Sequence, residues 1–205
     1  VVWMLREIMD VLDFLDDARN SAEEFAAILP DGPHSVEITP FDSDLGHTDF
    51  IKILFPGKNG KSSGGSAPTT GIIGSNGGLR LPWEYPGLSS DADGCVVGLA
   101  SALGLARKHH RNQQLQGDVL VSTHICQSAH PAPHDPFPFV VSPLPSSEKH
   151  PRLVDERMDG MLTPETCKSN KMASHLGFAV TPPVREGFIL RPHETILHAV
   201  EMVTG

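Results

Sequence analysis

Cysteine is scarce in this chain of 205 residues. Cys95, Cys126 and Cys167 are an odd number with no Cys-x-x-Cys spacing, which fits neither a disulfide framework nor a zinc knuckle and points to a reducing, cytoplasmic setting. Long apolar runs are missing, so no segment reads as a membrane span. The N-terminal stretch alternates charged with apolar residues where a signal peptide would keep an unbroken apolar core. Basic clusters are missing as well. The formal charge is −9, and the one short run, Arg107-Lys108-His109-His110-Arg111, reads as the complement of a helix C-terminus, so a nucleic-acid partner is excluded. The chain begins at Val1 rather than Met, as a fragment or processed form would.

A hydrophobic content of 39% over this length can fill one core, so a single domain is expected over 1–205, with a helical segment over 1–33 and a sheet core over 34–205. Leu5, Ile8, Met9, Leu12 and Leu15 recur at helical spacing, forming a stripe for the core or for a homo-oligomer contact. Ser21 followed by Glu24 forms a capping box for a second helix ending at Leu29. Ser35–Thr39 and Asp49–Phe55 alternate as strands and make an antiparallel pair. Thr70–Gly74 and Gly87–Ser89 read as short strands, and Val96, Leu99, Ala100, Leu103 and Ala106 mark a helix from about Asp93 to Lys108. Val119–Thr123 has the strongest buried-strand signal. Gly177–Thr181 and Gly187–Leu190 read as further strands, and Glu194–Val203 as a last helix with Ile196, Leu197, Val200 and Val203 facing inward. The fold class is α/β, a mixed and mostly parallel sheet flanked by helices.

Two polar clusters carry the chemistry. Ser89-Ser90-Asp91-Ala92-Asp93-Gly94 and Thr123-His124-Ile125-Cys126 each follow a short apolar run, with a helix between them. A right-handed crossover between parallel strands would set Asp91, Asp93, His124 and Cys126 along one sheet edge, where open α/β folds hold ligands. One of the two Asp residues is expected to cap the helix, leaving the other for a metal or for general-base work. The Pro/His-rich loop from Gln127 to Ser147 would bring His134 over that edge. Asp91, His124 and His134 then form a ligand set suited to one divalent metal, zinc, manganese or iron. Asp49, Asn76 in the Gly-rich turn Ser75–Gly78, and Lys61 and Ser62 complete the substrate contacts. The last two lie in a Gly/Ser-rich loop, 58–66, that lacks the spacing of a phosphate loop and reads as a mobile turn or flap.

Thr48–Ile53, Gly60–Gly65, Gly71–Gly74, Ser90–Gly94, Gly117–Val119, Thr123–Cys126, Pro133-His134, Arg157–Asp159, Gly177–Ala179 and Glu186-Gly187 run in order along the chain and resemble the bacterial family DUF1177, whose function is unknown. Members of that family extend past Gly205, which implies that a last piece of sheet is absent here or supplied by another chain. Ser90–Gly94 before an Ala/Leu-rich helix, the strand from Val119 and the late Gly-Phe-Ile-Leu-Arg-Pro-His-Glu are also similar to zinc aminopeptidases. That similarity implies a phosphorylase/hydrolase-like sheet and gives Asp91 the place of a metal-bridging Asp. The His-x-Asp and Glu-Glu ligands of those enzymes have no counterpart at Gly71–Gly74 or Thr123–Cys126.

The leading expectation is therefore a metal-assisted hydrolase of an amide or peptide-like small substrate. A metal-free isomerase, epimerase or lyase using His124 with Cys126 or an Asp, and a non-catalytic binding protein on a peptidase-like fold, are the alternatives.

Overall fold

A computed structural model describes residues 2–80, 87–127, 129–135, 138–165 and 179–204. They belong to two compact units, one within residues 2–166 and one within 167–205.

The larger unit is built on a five-stranded mixed sheet. Its strands are β1 (Ser35–Ser43), β2 (Gly46–Phe55), β3 (Thr70–Gly74), β4 (Val119–Ile125) and β7 (Gly160–Leu162), in the order β1-β2-β4-β3-β7. The β1–β2 and β2–β4 pairs are antiparallel, and the β3–β4 and β3–β7 pairs are parallel. The connection between parallel β3 and β4 is α3 (Asp93–His110), one βαβ unit. Helices α1 (Val2–Asp16) and α2 (Ala22–Ile28) complete the layer on α3's side of the sheet. Ser21 and Glu24 form the expected capping box.

Strand alternation assigns residues to faces. Ile51, Ile53 and Phe55 of β2 and Val119, Val121 and Ile125 of β4 join Leu99, Leu103 and Ala106 of α3 in the main core, together with Val11, Leu15 and Phe25. Phe50 and Ile73 point the other way and pack with Leu144 and Leu153. Leu153 ends α4 (Ser146–Leu153), the helix against β2 and β4, and a small hairpin of β5 (His130–Ala132) and β6 (Phe139–Val141) precedes it. Each fully buried Leu, Val or Phe contributes about 1.5–3 kcal/mol.

Several details differ from the sequence reading. In α1, Leu5 and Met9 are exposed and the buried positions are Glu7, Val11 and Leu15. Leu15, Ile8 and Leu12 of the expected stripe do face the core, and the inward face extends on one side to Glu7 and Asp10, which Arg107 of α3 binds at 2.7 and 2.5 Å. Gly87–Ser89 is not a strand; β3 is the first strand of the βαβ unit, and one 3-10 turn, Ser90–Ala92, leads into α3. β4 runs on through His124 and Ile125.

The 58–66 loop is tied down rather than free. The Asp118 carboxylate accepts bonds from the Gly57 N–H, the Ser62 N–H and the Ser62 hydroxyl, each at 2.8 Å, and Lys61 holds Asp159 at 2.6 and 2.7 Å. Those bonds hold the Asp118 carboxyl below its ordinary range against the opposing effect of burial. Asp118→Asn keeps the volume but removes the charge and one acceptor oxygen. It is expected to cost about 1–2 kcal/mol and to speed proteolysis within 58–66. Urea denaturation with limited proteolysis checks this; an unchanged cleavage rate would count against the staple.

In the second unit, β8 (Val184–Arg185) and β9 (Phe188–Ile189) form a hairpin around Glu186 and Gly187, which both have positive φ (52° and 86°). Two such residues make the tight turn that suits strand twist. Helix α5 (Glu194–Thr204) forms as expected, but Ile196, Leu197 and Val203 are exposed rather than inward. Ala179–Thr181 lies outside any strand, and Gly177 and Phe178 fall outside the described residues.

Candidate functional site

The site is built where β3 and β4 end, at the edge the βαβ unit defines. Gly74, the last residue of β3, pairs with Thr123, and the chain then turns through Ser75–Gly78. Here the N-terminus of α3 comes into backbone contact with the end of β3. A Cβ on Gly74 would strike the Gly94 carbonyl oxygen, and one on Gly94 would strike the Ser75 carbonyl oxygen. That approach delivers the residues just before α3 to the turn, and Asp91 Oδ2 accepts the Gly77 N–H. Asp91 is half-buried in the 3-10 turn. The residue in the cap position of α3 is Ala92, with no side-chain cap bond, so neither Asp91 nor Asp93 caps the helix. Asp93 is exposed in the first turn, where its charge complements the helix dipole.

His124 lies inside β4, fully buried and stacked on Phe50 with ring centroids 5.4 Å apart. Its Nε2 is 3.0 Å from the backbone oxygen of Asn76, and its Nδ1 is 2.9 Å from the Thr48 hydroxyl. A carbonyl oxygen can only accept, so Nε2 carries the proton and Nδ1 accepts from Thr48. Asn76 answers by donating its side-chain amide to the His124 carbonyl at 3.1 Å. Burial, reinforced by the nearby Lys149 charge, pushes the imidazole down to about 4, so the ring is neutral. Both nitrogens are committed to the protein. His124 thus acts as a clamp on the Asn76 turn, and binding a metal or taking a proton would require breaking one of these bonds.

The residue that the sequence reading missed is Lys149. It lies on α4, is 6% exposed, and its Nζ donates to the same Asn76 carbonyl at 2.5 Å. Burial lowers its pKa, opposed by the charges of Asp91, Glu165 and Cys126. A signal for it did exist: Lys149 precedes buried Leu153 by four residues, on the same helix face. The buried Cys126 follows directly on β4, and the Cys95 thiol below it is pushed up to about 12 by burial.

The other candidates lie elsewhere. Asp49 is buried, with Oδ1 2.8 Å from His47 Nε2 and Oδ2 3.4 Å from the Ala22 N–H, so it ties α2 to the sheet. Lys61 and Ser62 attach to Asp159 and Asp118, before the start of β4 and at the opposite end from His124. His134 is exposed, its ring 4.1 Å from that of Phe139. Among the described residues, no three His, Cys, Asp or Glu side chains are arranged to hold a metal ion.

The model of a family described as a protein of unknown function, DUF1177, matches residues 39–205. The chain belongs to the DUF1177 family. No curated protein matches it. The DUF1177 match takes in Asn76, Asp91, His124, Cys126 and Lys149, while α1 and α2 lie outside it. No helix among the described residues is long and apolar enough to cross a membrane.

Proposed function

We propose that this DUF1177 member is an enzyme that moves a proton at a carbon beside a carbonyl group of a small molecule, without a metal at this site. Isomerases, epimerases and lyases use this chemistry. The observation that carries the reading is that buried Lys149 and Asp91 hold the same peptide group at the end of β3, Lys149 Nζ donating to the Asn76 carbonyl and Asp91 accepting from the Gly77 N–H. A desolvated ammonium stabilises the negative charge that develops on a carbonyl oxygen when the neighbouring carbon loses its proton. Asp91 is the matching base. Its Oδ2 is held by the Gly77 N–H, and Oδ1 makes no hydrogen bond among the described residues. His124 acts at one remove as a positioning residue, fixing the Asn76 carbonyl that holds Lys149.

Metal-assisted amide hydrolysis through Asp91, His124 and His134 is favoured less. It would require His124 to give up a hydrogen bond and a divalent cation to sit beside an ammonium. Calorimetric titration with zinc or manganese separates the two readings, stoichiometric binding that weakens in Asp91→Asn being the result for a metal site.

Deuterium wash-in from D2O into a panel of 2-oxo acids, hydroxy acids and amino acids, followed by NMR, tests the proton-transfer reading. Exchange should occur with the wild-type chain and fall about 100-fold or more in Asp91→Asn and in Lys149→Met. A wild-type chain that exchanges none of them, or exchange that persists in Asp91→Asn, would overturn it.

A further inference from the structure

Lys149 differs from the other lysines of the sheet in how its charge is met. Lys52 is paired with Asp155 at 2.9 Å and Lys61 with both oxygens of Asp159, so each nitrogen faces a carboxylate. Lys149 is more deeply buried than either, yet its one hydrogen bond among the described residues goes to a neutral acceptor, the Asn76 carbonyl. A single donated bond suits an amine as well as an ammonium. In the amine form it orients one N–H and leaves the lone pair free. The position is rigid, because the Asn76 carbonyl also accepts from His124 Nε2, and His124 is locked in turn by Thr48.

We infer that Lys149 Nζ is a nucleophile that forms an imine with an aldehyde or ketone group of the substrate. This rests on the preceding assignment of the site and adds a covalent step to it, the protonated imine taking over the role given there to the ammonium. The lone pair of Nζ attacks the carbonyl carbon, a C–N bond forms, and the oxygen takes up a proton. Nζ gives up its two protons in all, the carbonyl oxygen leaves as water, and a C=N bond remains. No oxidant or reductant is consumed. Water carries the protons from nitrogen to oxygen, and the protonated imine then draws electrons from the neighbouring carbon more strongly than the parent carbonyl does. Burial favours the neutral amine that the first step needs, in keeping with the lowered pKa of this group.

The test uses the full chain with glyoxylate as the aldehyde probe and cyanoborohydride to reduce any imine to a stable amine, followed by peptide mapping in a mass spectrometer. At neutral pH, Lys149 should carry about tenfold more adduct than the exposed Lys58 and Lys108. Lys149→Arg should lose that adduct while Lys58 and Lys108 keep theirs. Because the first comparison is made within the wild-type chain, it holds even if the variant folds poorly. Adducts confined to the exposed lysines, with Lys149 unmodified, would overturn the inference. If Lys149 stays unmodified while deuterium exchange still depends on Asp91, the covalent step fails and the proton-transfer site stands. If both fail, the assignment of the site falls with them.

Discussion

Replacing Gly94 with alanine is expected to cost about 4 kcal/mol or more, near the upper end of what one substitution does. The added methyl would sit on the carbonyl oxygens of Ser75 and Pro164, backbone atoms that cannot swing aside as a side chain can. Relief would need the end of β3 and the start of α3 to separate, and this would carry Asp91 away from the Gly77 N–H. A control lies one turn along the same helix. At Gly98 the nearest atom to an added Cβ is the Gly74 Cα at 3.5 Å, an ordinary contact. Gly98→Ala should therefore be neutral or stabilise by up to about 1 kcal/mol through helix propensity. Urea denaturation followed by circular dichroism compares the two, and equal midpoints would refute the close approach.

The second large effect is a loss of stability in acid that can be traced to one imidazole. In the folded chain His124 titrates at about 4, below its ordinary 6.5. Between those values the unfolded chain binds a proton that the folded chain refuses, so stability falls as pH drops from 6.5 to 4, with no further loss from this group below that. The shift corresponds to roughly 3 kcal/mol. His124→Gln should be less stable at pH 7 and should lose this part of the pH dependence. Two other histidines, His34 and His109, are also lowered by burial and act in the same direction. His47 acts in the opposite direction. Bonding to Asp42 raises it, so its contribution is present below 6.5 and lost as pH climbs through the raised value. Subtracting the variant's profile from the wild-type profile isolates His124. A difference that stays flat from pH 6.5 to 4 would show that the ring is not held neutral.

Much of the scaffold around these residues could be read from local pattern. The Ser21/Glu24 box, the β1–β2 pair, α3 and β4 all rest on short-range signals, namely a cap, an alternation, a helical repeat and an apolar run. Those signals also placed Asp91 and His124 at one sheet edge. The strand before Asp91 was misplaced because Gly87-Leu88-Ser89 is apolar enough to read as a strand, whereas β3 ends earlier and an irregular stretch follows. The role of His124 was harder to read. Whether a histidine clamps or catalyses depends on Thr48 and Asn76, and Thr48 is 76 positions away from it. Lys149 was nearly as hard to read, since Ser-Ser-Glu-Lys-His-Pro-Arg-Leu reads as a solvated helix apart from the spacing to Leu153, and its packing against β2 and β4 is what buries the lysine. Leu5 and Met9 fit their repeat but are exposed, the inward face of α1 being centred on Ile8, Val11, Leu12 and Leu15.

The strand order also bears on how the chain is made. The β1–β2 hairpin joins neighbours and can close early, but β2 must wait for β4, and β4 is laid down only after β3 and α3. At about 5–20 residues per second, several seconds of synthesis separate the hairpin from its central partner. During that interval the inner edge of β2 lies open to pairing with other chains. Lys149 emerges later still, 73 positions after the Asn76 carbonyl that receives it. A ribosome stalled before β4 would therefore hold a chain whose β2 still lacks its inner partner, the stage when a chaperone covering β2 would matter most.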